Sequence, residues 1–247
     1  MGDSKRLISR YRATTGLLLS RFGPITGFVL TLLGGFAALA IFTSITTALF
    51  RKLIGNTVTT LFDAPIVQYV AAHRVAELTS VMKAITTVGS DACLWIAVLI
   101  GGAVFVWSTR SWRPLIFLAL AMLGAASVNH LIKHTVARTR PPSPFWVIPA
   151  GDWSFPSGHA TECVAVYWTL AYMFASTQRR LGIKSMAYAI GIAAPLLIGI
   201  SRVYLGVHWP TDVIVGWALG GAWSAIVLAS SSAAQSPRST KAYDPRR

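Results

Sequence analysis

The stretch KSMAYAIGIAAPLLIGISRVYLGVHWPTDVIVGWALGGAWSAIVLA, Lys184 to Ala229, decides how the chain is read. Two apolar runs, Lys184–Ile200 and Val213–Ala229, flank a short polar segment that carries Arg202, His208 and Asp212. A membrane-crossing helix needs about 20 mainly apolar residues. Two such helices joined by so short a link must return the chain to the same face of the membrane. Arg202 then ends one helix, while His208 and Asp212 open the next.

Working outward, four more runs of this kind precede it: Pro24–Phe50, Thr87–Trp107, Pro114–Ile132 and Ala160–Thr177. The expected fold is therefore an all-α membrane protein, a six-transmembrane-helix bundle. Pro195 inside the fifth run does not forbid a membrane helix, because neighbouring helices can satisfy the carbonyl it frees. Between the first two runs, Ile66, Val67, Val70, Val75, Leu78, Val81, Met82 and Ile85 recur at near-helical spacing. That pattern predicts an amphipathic interfacial segment lying along the bundle. The expected domain organisation is a basic tail over 1–23, a membrane domain over 24–229 and a Ser-rich disordered tail over 230–247.

The composition agrees. The chain is 54% hydrophobic and 12% charged, with 22 Lys+Arg against 8 Asp+Glu. Soluble domains carry about twice that charged fraction. The basic residues sit between apolar runs rather than along one polar face, which excludes nucleic acid as the partner and points to topology. Lys5, Arg6, Arg10, Arg12, Arg21, Arg110, Arg113, Arg179, Arg180, Lys184, Arg238, Lys241, Arg246 and Arg247 all fall on one side by alternation of the spans. The positive-inside rule makes that side, and both termini, cytoplasmic. The first apolar run lacks a small-residue cleavage pattern and is expected to remain as an anchor. Cys93 and Cys163 lie within apolar runs and read as small core residues, with no metal-ligand spacing.

On the opposite side, three clusters fall at helix ends. Lys133 and Arg140 follow the third span, Ser157, Gly158 and His159 open the fourth, and Arg202, His208 and Asp212 flank the link between the last two. Arg binds phosphate oxygens in bidentate fashion and Lys acts as a compact charge. Ser157 suits an N-cap, and free N–H groups at that helix start can hold an anion, with Gly158 permitting close approach. His208 stands four residues before Asp212, and Pro210 suits a first helical turn, so the carboxylate can orient the imidazole. This chemistry predicts phosphoryl transfer, with His208 as nucleophile and His159 as general acid. Arg138 reads as a surface charge. Trp146, Trp153 and Trp209 read as an interfacial aromatic belt. Gly216 and Gly220 predict close helix packing. Glu162, one turn inside the fourth span, is open between tuning His159, touching a head group and pairing with another helix.

The segments KHTVARTRP, PSGH and SRVYLGVHWPTD together resemble the signature of the type 2 phosphatidic acid phosphatase (PAP2) family, over about residues 90 to 230. The resemblance implies a phosphatase that needs no cofactor or metal and forms a phosphohistidine. In it His208 is the nucleophile, Asp212 its partner and His159 the general acid, while Lys133, Arg140, Ser157, Gly158 and Arg202 bind phosphate. It also implies a membrane lipid phosphate or pyrophosphate as substrate, met at the extracytoplasmic face of the cell membrane. Transfer of the phosphoryl group to a lipid or sugar acceptor is the alternative.

Overall fold

The computed structural model describes residues 59–234, the helical stretch Phe28–Ala37 and a few isolated helical positions beside that stretch. Regular structure among the described residues is entirely helical. A short π-helical turn, Thr59–Asp63, leads into α1 (Ala64–Ala72) and α2 (Ala76–Val88). The long helices follow: α3 (Asp91–Thr109), α4 (Arg113–Val136), α5 (Gly158–Thr177), α6 (Leu181–Tyr204) and α7 (Pro210–Ala234). Among the described residues, four segments are long and apolar enough to cross a membrane: α3, α4, α6 and Pro210–Ser230 of α7.

The remaining long helix, α5, occupies the centre. It packs against α3, α4, α6 and α7. Its buried positions are mostly small: Ala160, Thr161, Cys163, Ala165, Thr169, Ala171 and Ala175. Small side chains let helix backbones approach where lipid offers no competing hydrophobic drive. The Gly216–Gly220 pair of α7 faces this helix directly. A Cβ on Gly220 would lie 2.2 Å from the Thr161 carbonyl oxygen, and one on Gly216 would lie 2.9 Å from the Ser157 carbonyl oxygen. The expected close packing is therefore present inside the bundle.

Larger side chains fill the gaps around α5. Leu94, Val98, Leu118, Met122, Cys163, Val166 and Ile198 form one buried cluster. Phe117, Ala125, Ala165, Trp223 and Val227 form another, and Phe28, Leu32 and Phe36 pack onto it. The first predicted span is thus described only through Phe28–Ala37, and the predicted tail 1–23 lies outside the described residues. On the outer surface Ile96, Leu99, Ile100, Val104, Ile190 and Leu197 are exposed. A lipid-facing belt accounts for a surface of that kind, which water would penalise.

Helix ends differ from the hydropathy reading. Ser90 caps α3 by accepting from the Cys93 N–H, so that helix starts at Asp91 rather than Thr87. Helix α4 runs to Val136 and α6 to Tyr204, which places Lys133 and Arg202 inside last turns. Helix α7 continues to Ala234, into the stretch assigned to the tail. Pro195 stays within α6, and the Trp217 indole of α7 donates to its carbonyl at 3.0 Å. The segment between the first two spans is two helices rather than one. The chain breaks near Arg74, whose Nε donates to the Tyr204 carbonyl at the end of α6.

Candidate active site

Four helix ends meet here because their termini are tied by main-chain bonds. The Ser157 N–H, at the start of α5, donates to the Asp212 carbonyl in the first turn of α7, at 3.0 Å. Asn129 of α4 donates to the Pro156 carbonyl at 3.3 Å and to the Thr161 hydroxyl at 3.2 Å. Between α4 and α5 the chain turns at Ala137, which adopts a left-handed conformation with φ 47°. The loop that follows returns to the site through Ser154 N–H donating to the Arg138 carbonyl and Val147 N–H donating to the Leu205 carbonyl.

Ser157 is buried and caps α5, its hydroxyl oxygen accepting from the Ala160 N–H. The first-turn N–H groups of Gly158 and His159 have no acceptor within their own helix and point out of its positive end. Gly206, with φ +77°, makes the turn that carries the chain from α6 to His208. A Cβ there would lie 2.0 Å from the Phe145 carbonyl oxygen, so the turn requires glycine.

His208 is only 2% exposed. Its Nε2 lies 3.0 Å from Nη1 of Arg140, and its Nδ1 lies 3.4 Å from Oδ2 of Asp212. An arginine can only donate, so Nε2 is the acceptor and the ring proton sits on Nδ1, facing the carboxylate. Nε2 therefore carries the ring's lone pair, held by Arg140. Burial pushes the His208 pKa down to about 4; Asp212 opposes that shift while Arg140 and Arg202 add to it. The ring is neutral at pH 7, the state a nucleophile requires.

Cationic groups surround this nitrogen. Arg140 is anchored by Gly151, Asp152, Trp153 and Val207 carbonyls as well as by His208. Lys133 donates to the Trp153 carbonyl and sits 3.9 Å from Asp152. Arg202 is 7% exposed, with Nη1 on the Thr86 hydroxyl at 3.0 Å. Its buried Nε has no hydrogen-bond partner among the described residues. A buried guanidinium N–H left so is costly unless something anionic accepts from it. His159 lies half-buried in the first turn of α5, where burial pushes its pKa down to about 3 and Arg202, His208, Arg140 and Lys133 add to that shift; a bound phosphate anion would oppose it by compensating those charges. All eight sequence-predicted site residues thus lie at this one end of the bundle. The donor set suits a phosphate group, and no group of three or more His, Cys, Asp or Glu able to hold a metal occurs among the described residues.

Two sequence readings need correction. Arg138 is not a surface charge. Its side chain is 19% exposed and grips two fully buried carboxylates, with Nη1 2.6 Å from Oδ1 of Asp212 and Nη2 2.6 Å from Oδ2 of Asp63. Trp209 is not part of an interfacial belt. It is 8% exposed, donates from Nε1 to the Thr139 carbonyl and lies beneath the Arg138 guanidinium. Arg138 is drawn inward because Asp212 must be compensated where no water reaches it, and Trp209 packs beneath its guanidinium.

Residues 114–236 match the PAP2 superfamily profile. Phosphatidylglycerophosphatase B of Bacillus subtilis is 36% identical over 145 residues, which span 58% of this chain and 70% of that protein. The chain belongs to the PAP2 superfamily. An undecaprenyl-diphosphatase of Sulfolobus acidocaldarius is 29% identical over 70% of this chain and 80% of its own length. The crystal structure of a transmembrane PAP2-type phosphatidylglycerolphosphate phosphatase from Bacillus subtilis superposes with a TM-score of 0.69 at 29% identity, covering 87% of this chain and 98% of that one. Aquifex aeolicus LpxE shares the fold, with a TM-score of 0.51 at 24% identity over 68% of this chain and 94% of that one.

Two acidic residues outside the PAP2 motifs also reach this end of the bundle. Glu162 is 8% exposed and lies near enough to Asp91, at the start of α3, for the two carboxyl groups to interact. Its Oε1 lies 3.5 Å from the position of a Cβ on Gly158. The three roles left open for it stay open: its neighbours include the Asp91 carboxyl group and the start of α5. Asp63 had no motif to mark it. The available signal was a lone acid in the apolar run LFDAPIV, which must find a partner if it is buried.

Proposed function

We propose that this chain is an integral-membrane lipid phosphatase that hydrolyses a lipid phosphate or pyrophosphate through a phosphohistidine on His208, without a metal ion. The observation that carries the reading is the pair of contacts made by the two ring nitrogens of His208. Arg140 on Nε2 and Asp212 on Nδ1 leave a neutral, oriented lone pair inside a cluster of cations. The phosphatase names of its relatives support the same reaction class.

In the first step Nε2 attacks phosphorus and the bond to the lipid oxygen breaks. His159 gives its proton to that oxygen. Asp212 stabilises the imidazolium character that develops on His208. Lys133, Arg140, Arg202 and the N–H groups at the start of α5 hold the equatorial oxygens, where charge builds up. In the second step His159 takes a proton from water, water attacks phosphorus, and the P–N bond breaks to release phosphate. Net consumption is one water per ester or anhydride bond cleaved. With the basic loops cytoplasmic, the site opens to the extracytoplasmic surface, where a lipid head group meets it from the side.

The test is phosphate release from phosphatidic acid, phosphatidylglycerol phosphate, undecaprenyl pyrophosphate and lipid A in matched micelles, with EDTA present. At least one lipid should be hydrolysed, and His208→Ala and His159→Ala should each abolish release. Wild-type rates in either variant would refute the roles assigned. Activity lost to EDTA and restored by magnesium would refute the metal-free mechanism, and labelled phosphate appearing on an acceptor lipid would establish transfer instead.

A further inference from the structure

Asp212 cannot serve His208 with its full charge if Arg138 neutralises it. The geometry shows how the conflict is resolved. Arg138 holds Oδ1 of Asp212, which leaves Oδ2 for the His208 Nδ1 proton and the Trp209 N–H at 3.0 Å. The other arm of the same guanidinium meets Asp63. Asp63 is 0% exposed and fully engaged: Oδ1 accepts from the Thr211 N–H at 3.0 Å, and Oδ2 accepts from the Thr211 hydroxyl at 2.6 Å. Thr211 is the neighbour of Asp212, and its hydroxyl also lies 2.8 Å from Nη1 of Arg138.

We propose that Asp63 and Arg138 are positioning residues of the catalytic centre: together they fix the rotamer of Asp212 and keep the Asp63–Arg138–Asp212 cluster at a net charge of minus one. Without Arg138 two buried carboxylates would repel each other across the gap. Without Asp63 the Arg138–Asp212 pair would be neutral, and the imidazolium character that develops on His208 would lose most of its electrostatic support. The proposal deepens the phosphohistidine reading and rests on it for its catalytic consequence. Asp63 precedes α1, in a part of the chain outside all three motifs, and reaches the nucleophile only through this chain of bonds.

The charges facing His208 are Asp212 from α7, Arg140 from the α4–α5 loop, Arg202 from α6 and His159 from α5. Substituting Asp63 or Arg138 replaces none of these groups and changes the charge behind Asp212. A negative charge favours protonated His208. Removing it with Asp63→Asn should lower the His208 pKa, and removing the positive charge with Arg138→Gln should raise it. Each shift should be about half a unit or more.

The experiment is a histidine-nitrogen NMR titration of the full chain in detergent micelles. The protein has only 5 His, so the His208 signal can be assigned by its loss in His208→Ala. Opposite shifts in the two variants, with kcat lowered about tenfold and KM within about twofold, are expected, as is partial recovery in Arg138→Lys. A structural defect would not give shifts of opposite sign. An unmoved His208 titration, or movement in the same direction in both variants, would overturn the proposal. Should Arg138→Gln fail to fold, Asp63→Asn decides alone, and no downward shift there overturns it. The titration needs no turnover, so its outcome is separable from failure of the lipid phosphatase reading.

Discussion

Arg140 directs one guanidinium at four carbonyls and an imidazole. Those bonds hold the 151–153 segment over the site and hold Nη1 against the nucleophilic nitrogen. In the proposed mechanism Nη1 would leave His208 for a phosphate oxygen as Nε2 attacks, so the same donor would guard the lone pair and then stabilise the product of its attack. Lysine keeps the charge but loses the planar fork. Arg140→Lys should therefore lower kcat/KM about 100-fold for a lipid that the unsubstituted protein hydrolyses, since charged hydrogen bonds contribute about 1.5–3 kcal/mol each. A loss smaller than threefold in micelle assays would remove Arg140 from the mechanism. Residues such as His159 and His208 were legible in the sequence because ionisable groups are conspicuous in so apolar a chain. Arg138 was not, because its partner Asp63 lies 75 positions away and nothing local announces the pairing.

Helices were legible as apolar runs, and their ends were not. A hydropathy reading stops at the first charge, whereas Lys133 and Arg202 sit inside last turns because the phosphate-type site lies within the ends of the helices. The central helix was read as an apolar run too, Ala160–Thr177, although its buried face is small and polar and it is not among the four described helices apolar enough to cross a membrane. That face also makes α5 sensitive to bulk. In Gly220→Ala the new methyl would meet the main chain of Thr161, which cannot yield as a side chain would. Alanine gains up to about 1 kcal/mol of helix propensity, and overpacking costs about 1–3 kcal/mol. The variant should unfold at a lower temperature in detergent, with α5 and α7 forced apart. An unchanged melting temperature would mean the α5–α7 contact is looser than described.

At the scale of the molecule, the distribution of a formal charge of +14 is what makes orientation legible. Gly151 lies in the loop over the site and Gly182 at the other end of the bundle, and both have open space around them. In a chain with Cys93 and Cys163 replaced by alanine, a cysteine at Gly151 should react with a membrane-impermeant maleimide on intact cells. A cysteine at Gly182 should react only after permeabilisation, and the reverse pattern would invert the proposed topology. What sequence could not supply at this scale was the enclosure of one helix by the others, which depends on every contact at once. The order of the motifs along the chain has a consequence of its own. Lys133, Arg140 and His159 leave the ribosome well before His208 and Asp212, which arrive with the final helical hairpin. A nascent chain would thus expose the proposed anion-binding groups at the bilayer surface before the proposed nucleophile is made, so the site would be assembled in two stages.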